Sequence, residues 1–359
     1  MTLRIDLKHR FAEFSLDLGF DVPDGITVLF GRSGSGKSTV LRAIAGIFKP
    51  DQARIVLSDR VLCDSEAGPC LPPHKRRIGI IFQDARLFPH LTVAQNLDFG
   101  RRFSKRDVPA HEVTQMVDML GIGALLDRRP EGLSGGEQQR VAIGRALLSG
   151  AEMILADEPL AALDEARKAE ILPYFERLRD EIAIPVLYVS HSPAEVARLA
   201  TTVIALEAGR VIGQGSAEAV LGDPAVLPVG AGGAGALIRA TVRVHHADGL
   251  TELDAGGEAL FLPRLMADPG HPVRLRIAAH EVILSPDRPV GLSALNILSG
   301  TIAEVSEAQG SAVLVALQTG AGRVLARVTT RSVAALGLRE GAPCHAVIKT
   351  ASIAQDNLA

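Results

Sequence analysis

The sequence predicts an α/β protein with a mostly parallel sheet covered by helices, followed by a smaller C-terminal region built only of β-strands. Three observations lead to this fold class. Short apolar runs alternate with amphipathic stretches over about the first 225 residues, a glycine-rich loop stands between one such run and a helical stretch, and the helical pattern ends near residue 230. Apolar strands separated by helical stretches are typical of parallel sheets with both faces covered.

Composition places the chain among globular proteins. It has 359 residues, of which 47% are hydrophobic and 22% charged, and a formal net charge of −3. A chain much longer than about 150 residues favours two or more domains. The nearly balanced charge supplies no basic field for a nucleic acid. We therefore expect several domains and no nucleic-acid partner.

The N-terminus and the cysteines predict a cytoplasmic location. No uncharged apolar run reaches the ~18 residues of a membrane span, and the first residues lack the apolar core of a signal peptide. Cys63, Cys70 and Cys344 have no metal-ligand spacing, and their odd number argues against a disulfide framework. Any membrane role is expected to come through a partner that supplies the spanning helices.

Three apolar runs define the predicted parallel sheet. Residues 26–30, 153–156 and 186–189 each have the length and character of a buried strand. Residues 230–235 contain only glycine and alanine and predict a flexible linker. The predicted division is a first domain of residues 1–225, a linker of residues 226–236, a β unit of residues 237–290 and a second β unit of residues 291–355.

The region beyond the linker predicts a small β-barrel or sandwich. Its short alternating runs occupy residues 240–244, 259–262, 273–277, 301–305, 313–317 and 324–328. Pro272 and Pro343 are each followed five and ten residues later by an aliphatic residue. Two similar β units would explain this spacing, and a coincidence between apolar strands is the alternative.

The glycine-rich loop after the first strand predicts a phosphate-binding site. Its residues are Gly31, Arg32, Ser33, Gly34, Ser35, Gly36, Lys37 and Ser38. Backbone N–H groups of such a loop turn inward around phosphate oxygens, and the start of the following helix adds positive potential. We expect Lys37 to contact the β- and γ-phosphates and the Ser38 hydroxyl to ligate Mg²⁺. Thr39 stands where a dinucleotide-binding loop needs glycine, which excludes that alternative.

Two consecutive acids end the strand at residues 153–156. We expect Asp157 to hold Mg²⁺ through its water shell and Glu158 to activate the attacking water as general base. Because successive strand residues point to opposite sides, the two carboxylates should do different work. Acids at strand ends are common, so this interpretation depends on the phosphate-binding loop upstream.

A second glycine pair predicts a second anion site. Ser134 and Glu137 have the spacing of a capping box, and Gly135 and Gly136 leave N–H groups uncovered beside the helix start. A chain that binds one nucleotide has no use for two anion sites of its own. Two copies that face each other would explain the second site. The string that begins at Leu133 resembles the signature motif of ABC ATPases, which in that family completes the ATP site of the opposite subunit.

Other positions match the remaining motifs of ABC ATPases, and the resemblance implies their roles. Gln83 matches the glutamine loop, which contacts Mg²⁺ and couples to the permease. His191 matches the switch histidine that senses the γ-phosphate. Asp164 matches the loop that crosses the dimer interface, although the family usually has serine where Ala161 stands.

The resemblance covers about residues 1–225 and implies a RecA-like P-loop NTPase core, an inserted helical subdomain and a head-to-tail homodimer. It also implies ATP and Mg²⁺ as cofactors, and integral-membrane permease subunits as partners at the cytoplasmic face of the bacterial inner membrane. A periplasmic binding protein would take part indirectly. The family stacks adenine on an aromatic residue upstream of the phosphate loop, for which Phe11 is the candidate and Phe14 the alternative.

One segment resembles the ATPases of molybdate importers, and two C-terminal segments resemble a molybdate-binding domain. Residues 75–90 are similar to that group, although sulfate, ferric iron and sugar importers share much of the segment. Residues 293–300 and 348–352 resemble the opening and closing strands of a Mop/TOBE-like, OB-type β-barrel domain. Hydroxyl, amide and ammonium groups there suit an oxyanion; they belong to Ser293, Asn296, Lys349 and Ser352.

The predicted function is the ATP-hydrolysing subunit of an importer, with molybdate or tungstate as the cargo. Leu295 stands where the Mop pattern often has arginine. The C-terminal β region, residues 237–355 and called the tail below, has the alternative of a structural or regulatory role without bound oxyanion. An ATPase of a sulfate, ferric iron or sugar importer is the alternative within the family. A non-catalytic oxyanion sensor is the alternative of another class, and Glu158 and His191 argue against it.

Overall fold

A computed structural model of the chain describes residues 2–68, 70–103, 108–161, 163–181, 184–223, 226, 234–307 and 311–350. The chain divides into two compact units. The first is formed by Met1–His191 and Leu199–Gln214, and the second by Ser192–Arg198 and Gly215–Ala359. Within the described ranges, no helix is both long and apolar enough to cross a membrane.

The N-terminal part of the chain alternates strands and helices as the sequence predicts. In chain order its elements are β1 (Leu3–Arg10), β2 (Ser15–Val22), β3 (Ile26–Phe30), α1 (Lys37–Ala45), β4 (Gln52–Leu57), β5 (Arg60–Asp64), β6 (Ile78–Ile81), α2 (Val93–Phe103), α3 (Ala110–Met119), α4 (Gly135–Leu148), β7 (Met153–Asp157), α5 (Glu165–Glu181), β8 (Val186–Ser190), α6 (Pro193–Leu199), β9 (Thr202–Glu207) and β10 (Arg210–Gly215).

A six-stranded sheet forms the centre of the first unit, with the order β10-β9-β3-β8-β7-β6. The pairs β3–β8, β3–β9, β7–β8 and β6–β7 are all parallel. Every residue of β3 and β8 is buried, which explains why these strands appear in the sequence as continuous apolar runs. Because the strands are parallel, the segments that follow β3, β6, β7 and β8 emerge at one edge of the sheet.

A second, antiparallel sheet of the first unit has the order β2-β1-β4-β5. Cys63 of its strand β5 forms a disulfide with Cys70, which the odd cysteine count did not predict, whereas Cys344 is free and buried. The odd number of cysteines excludes only the pairing of all three. Backbone pairing brings the two partners together, since the Leu71 N–H donates to the Leu62 carbonyl oxygen at 2.8 Å.

The C-terminal part is mostly β-structure. Its elements are α7 (Ala217–Gly222), β11 (Gly235–His245), β12 (Leu250–Ala255), β13 (Glu258–Pro263), β14 (Pro272–Ala278), β15 (Val282–Ser285), β16 (Asn296–Val305), β17 (Ala312–Thr319), β18 (Gly322–Thr329), α8 (Thr330–Leu336) and β19 (Pro343–Ile348). All six predicted strands of this region lie within observed strands. Residues 227–233 of the predicted linker lie outside the described residues.

The strands of the second unit form two antiparallel sheets, with the orders β13-β12-β11-β14 and β15-β19-β16-β17-β18. The two sheets share one apolar core, to which Leu253 and Leu275 contribute from the first sheet and Leu298 and Val315 from the second. β15 precedes residue 290 in the chain but pairs with β19 of the second sheet. A boundary at residue 290 therefore does not separate two independent β units.

Candidate functional site

The loop between β3 and α1 forms the floor of a cavity of about 320 Å³. Gly34 and Gly36 have φ angles of 82° and 102°, a left-handed conformation that favours glycine. A Cβ atom at Gly36 would lie 2.9 Å from the Phe14 ring, so this position also needs glycine for space. α1 has no side-chain cap, which leaves its first N–H groups available to an anion. The lining residues are Phe11, Phe14, Ser33, Gly34, Gly36, Lys37, Ser38, Thr39 and Glu158.

Lys37 is the positive group of this cavity, and it is only 4% exposed. Its ammonium donates to the carbonyl oxygens of Gly31 at 2.8 Å and Arg32 at 2.7 Å. Burial lowers the pKa of Lys37, and the carboxylates of Glu158 and Asp157 oppose that shift. The lysine is therefore held in place by the loop itself, with its charge directed towards the two acids.

The two acids after β7 have separate partners, as the sequence predicts, but for a different reason. The Ser38 hydroxyl donates to Asp157 Oδ1 at 2.8 Å. Glu158 instead lies 3.8 Å from Lys37 Nζ through Oε1. The strand ends at Asp157, and Glu158 has a left-handed φ of 46°. This local turn, and not the alternation along a strand, sends the carboxylates in different directions.

His191 completes the group at this edge of the sheet. It follows β8, and its Nδ1 lies 3.3 Å from Glu158 Oε2, while its side chain is 55% exposed. The Glu158 N–H donates to the Val189 carbonyl oxygen at 3.2 Å, which fixes the glutamate against β8. Glu158 thus lies between a buried ammonium and an exposed imidazole.

The signature segment has the predicted capping box. Ser134 Oγ accepts from the Glu137 N–H at 3.3 Å, and Glu137 Oε2 accepts from the Ser134 N–H at 2.7 Å. The hydrogen bond from the Ser134 backbone lowers the pKa of Glu137. Leu133 and Gly136 are buried, whereas Ser134 and Gly135 are exposed. None of these residues lines the cavity around Lys37.

Gln83 and Asp164 also lie outside the cavity lining. Gln83 is exposed and comes two residues after the end of β6. Asp164 stands at the start of α5, where its Oδ1 accepts from the Arg167 N–H at 2.9 Å. Asp164 is therefore a helix cap in the single chain. Phe11 and Phe14 both line the cavity, so the geometry leaves both as candidates for stacking against a base.

Arg76 is a buried residue that supports the site from the far end of α1, a role that the sequence did not predict. It is 2% exposed, and its Nη1 donates to the carbonyl oxygens of Ala43 at 2.8 Å and Ile44 at 2.7 Å. These are the last carbonyls of α1, so the guanidinium caps the helix whose other end forms the cavity. Its position within the basic run at residues 75–77 gave no local signal of this role.

The predicted oxyanion residues of the tail that the structure describes differ in burial and in their partners. Asn296 is fully buried; its Oδ1 accepts from the Phe261 N–H at 2.7 Å and its Nδ2 donates to the Phe261 carbonyl oxygen at 2.8 Å. It therefore joins two sheets, which contradicts the expectation that it contacts an anion. Ser293 and Lys349 are exposed, and Ser352 lies outside the described residues.

Several known proteins are similar to this chain. It matches the family described as "ABC transporter" over residues 16–161 and the family described as "TOBE domain" over residues 292–355. It is 49% identical to the molybdenum import ATP-binding protein ModC of Mesorhizobium japonicum, over 99% of this chain and 97% of that protein. The protein of the same name from Rhizobium meliloti is 50% identical over 98% of this chain and 99% of its own length.

One solved structure is similar to part of the chain. It is cbiO1 from Clostridium perfringens, described as part of the ABC transporter complex cbiONQ. The two share 28% sequence identity and a TM-score of 0.52, over 61% of this chain and 89% of that one. The sequence relatives, in contrast, match nearly the whole length of this chain.

Proposed function

Because the chain belongs to the ModC family of ABC transporter ATPases, we propose that it is the ATP-hydrolysing subunit that energises molybdate import. The observation that carries this proposal is the grouping of Lys37, Ser38 and Glu158 in one cavity at the carboxyl edge of a parallel sheet. Tungstate has the same charge and nearly the same shape as molybdate, so we include it as a cargo.

ATP fits the cavity at the loop after β3. The uncapped start of α1 and the N–H groups of the loop supply donors for phosphate oxygens, and Lys37 supplies the positive charge. The β- and γ-phosphates would lie near the Lys37 ammonium. Phe11 or Phe14, at the cavity wall, offers an aromatic face for the adenine.

Ser38 and Asp157 suit Mg²⁺ because both are hard oxygen donors, and their oxygens lie 2.8 Å apart. Mg²⁺ bound there would neutralise charge on the phosphates. Gln83 is proposed as a further contact to the metal when the glutamine loop approaches the nucleotide. Its exposed side chain and its place at the same sheet edge support this assignment.

Glu158 is proposed as the general base for hydrolysis. Its carboxylate would accept a proton from water as the water oxygen attacks the γ-phosphorus and the bond to the β-phosphate oxygen breaks, which yields ADP and phosphate. Lys37 would hold the transferred group, and His191, 3.3 Å from Glu158, would contact the γ-phosphate. The left-handed backbone of Glu158 fixes its carboxylate between these two side chains.

Two copies of the chain are proposed to act together. Ser134 and Gly135 are exposed at the start of α4 and lie outside the cavity of their own chain. We place them on the γ-phosphate of ATP held by a second copy, with Asp164 at the dimer interface. Permease subunits would supply the membrane-spanning helices, and the ATPase would act as a peripheral subunit at the cytoplasmic face of the inner membrane.

The tail is proposed as the place where cytoplasmic oxyanion acts on the ATPase. Ser293 and Lys349 are exposed and supply a hydroxyl and an ammonium group. Asn296 does not contribute to this site, because both atoms of its amide group bond to the backbone of Phe261. Bound oxyanion would bias the tail between two arrangements and slow hydrolysis as cytoplasmic molybdate rises.

Uptake in a deletion strain tests the substrate. We expect radiolabelled molybdate uptake to be lost on deletion, restored by the native gene and not restored by the Glu158→Gln variant. If molybdate uptake is normal and sulfate, ferric iron or sugar uptake is lost, the chain is the ATPase of an importer for that other substrate. Restoration of uptake by Glu158→Gln would instead favour a non-catalytic role.

A further inference from the structure

One arginine of α4, the helix that begins at the signature, contacts the segment that follows Gln83. Arg145 donates from Nη1 to the Arg86 carbonyl oxygen at 2.8 Å and from Nη2 to the Ala85 carbonyl oxygen at 3.1 Å. Its guanidinium also lies 5.3 Å from the centre of the Phe88 ring. One side chain of α4 thus contacts three residues of the segment.

Two further side chains anchor the chain at Phe82, before Gln83, and at Phe88, after it. Gln139 of α4, which is 3% exposed, donates from Nε2 to the Phe82 carbonyl oxygen at 3.4 Å. Asn96 of α2 is fully buried; its Oδ1 accepts from the Phe88 N–H at 2.9 Å and its Nδ2 donates to the Phe88 carbonyl oxygen at 3.2 Å. Contacts to α4 therefore lie on both sides of Gln83 in the chain.

The chemistry of Arg145 makes its contact rigid. Its guanidinium is planar and presents its two donors in a fixed fork, so it reaches two consecutive carbonyl oxygens at once. Burial lowers the pKa of Arg145, and hydrogen bonds in such a partly desolvated place are stronger than in water. A flexible surface residue would not transmit a displacement in this way.

We propose that Arg145 is a positioning residue that couples the signature to Gln83. The inference rests on the proposed function, in which Ser134 at the start of α4 contacts the ATP of a second copy. When that contact moves α4, Arg145 carries residues 85–88 with it and so shifts Gln83 relative to its own nucleotide. The coupling is reciprocal, so a change at Gln83 also moves the signature.

A matched variant separates this role from general support of the helix. Arg140 lies on the same helix, donates from Nη1 to the Leu120 carbonyl oxygen at 3.1 Å and lies 5.9 Å from the centre of the Tyr174 ring. It thus resembles Arg145 in chemistry but holds a segment other than the one after Gln83. The two test variants are Arg145→Met and Arg140→Met, with Arg145→Lys as a milder change.

Hydrogen exchange reports the coupling directly. Each variant is combined with Glu158→Gln so that ATP remains bound, and exchange of residues 82–88 is measured with and without ATP. In the Glu158→Gln parent and in its Arg140→Met form we expect ATP to slow exchange in this segment. In the Arg145→Met form we expect that response to be lost, while calorimetry shows ATP affinity within about twofold of the parent.

Turnover in proteins that keep Glu158 gives the second readout. For Arg145→Met we expect kcat to fall at least about tenfold, the rate factor of one lost charge-assisted hydrogen bond, with KM for ATP changed less than about twofold. Arg145→Lys should recover part of kcat. Arg140→Met should keep kcat within about threefold, because it leaves the segment after Gln83 anchored.

Specific outcomes would overturn the inference. An ATP response in Arg145→Met equal to that of Arg140→Met, or equal losses of kcat in the two variants, would show that Arg145 only supports the helix. A parent protein that binds ATP without any response in residues 82–88 would overturn the coupling and leave the ATPase assignment intact. A parent that does not bind ATP would overturn the proposed function, and the coupling with it.

Discussion

Glu158 lies between Lys37 and His191, with one carboxylate oxygen 3.8 Å from the Lys37 ammonium and the other 3.3 Å from His191 Nδ1. This arrangement connects the end of β7 to the phosphate-binding loop and to the end of β8. It gives specific expectations for the substitution of Glu158 and of Lys37.

Glu158→Gln should abolish turnover and preserve ATP binding. Glutamine keeps the shape and hydrogen bonding of the side chain but cannot accept the proton from water, a role worth about 10²–10⁴ in rate. Phosphate release would measure the loss, and calorimetry would measure ATP affinity. The variant should also accumulate an ATP-bound dimer on size exclusion. Hydrolysis at the native rate would remove Glu158 from the proposed mechanism.

Lys37→Ala should weaken nucleotide binding itself. The ammonium contributes a charge-assisted bond to the phosphates, worth about 1.5–3 kcal/mol, so we expect affinity to fall by roughly 10- to 150-fold. Calorimetry with ATP and with ADP measures the effect. Lys49→Ala, in the segment after α1, serves as a control of equal charge change. Unchanged affinity in Lys37→Ala would count against the phosphate-binding assignment.

Ser134→Arg should leave ATP binding by the single chain intact and block hydrolysis. The reason is geometric, since an arginine at this exposed position would prevent the approach of a second copy. Ser216→Arg is the matched control, because Ser216 is also an exposed helix cap and accepts from the Ala219 N–H at 3.2 Å. Both variants lose a cap worth about 1 kcal/mol. Equal hydrolysis by the two would argue against a composite site.

Glu137 should make the stability of the first unit depend on pH at the acid end. Its folded pKa is lowered by the Ser134 N–H, so the stabilisation is present above the unfolded value of about 4.3. It is lost as pH falls through the lowered folded value. Urea unfolding at several pH values would measure the free energy of unfolding. We expect the difference between the native protein and Glu137→Gln to shrink below pH 4, and a constant difference would contradict the assignment.

Opposite changes in the tail test regulation by oxyanion. Lys349→Ala should reduce the inhibition of ATPase activity by molybdate, because it removes an exposed positive group. Leu295→Arg should increase it, because a guanidinium is a better donor to a dianion. ATPase rates against molybdate concentration would be compared with chloride as the control salt. Identical curves for both variants and the native protein would exclude these residues from an oxyanion site.

The sequence predicted the features that depend on local patterns. The loop at Lys37, the acids after β7, the cap at Ser134 and the position of His191 after β8 all follow from short motifs and strand ends. Contacts from a side chain to a distant carbonyl have no such pattern. Arg145 reaches Arg86 across 59 positions of the chain, and Arg76 reaches Ala43 across 33.

Three expectations failed for physical reasons. Asn296 has a polar side chain that suits an anion, but the packing of β16 against β13 uses its amide for the backbone of Phe261. The odd number of cysteines argued against disulfides, but it does not prevent two of the three, Cys63 and Cys70, from forming one. Strand alternation does not explain why the Asp157 and Glu158 side chains point in different directions. The strand ends at Asp157, and Glu158 has a left-handed backbone conformation.

The shared core of the two tail sheets limits how this protein can be shortened. A chain cut after residue 290 would keep β15 without β19, its partner, and would expose Leu253 and Leu275 where they now meet the second sheet. We therefore expect the two sheets to melt in one transition and to be gained or lost together in related proteins. A tail-less ATPase would have to end before Gly235, where β11 begins, and not between the sheets.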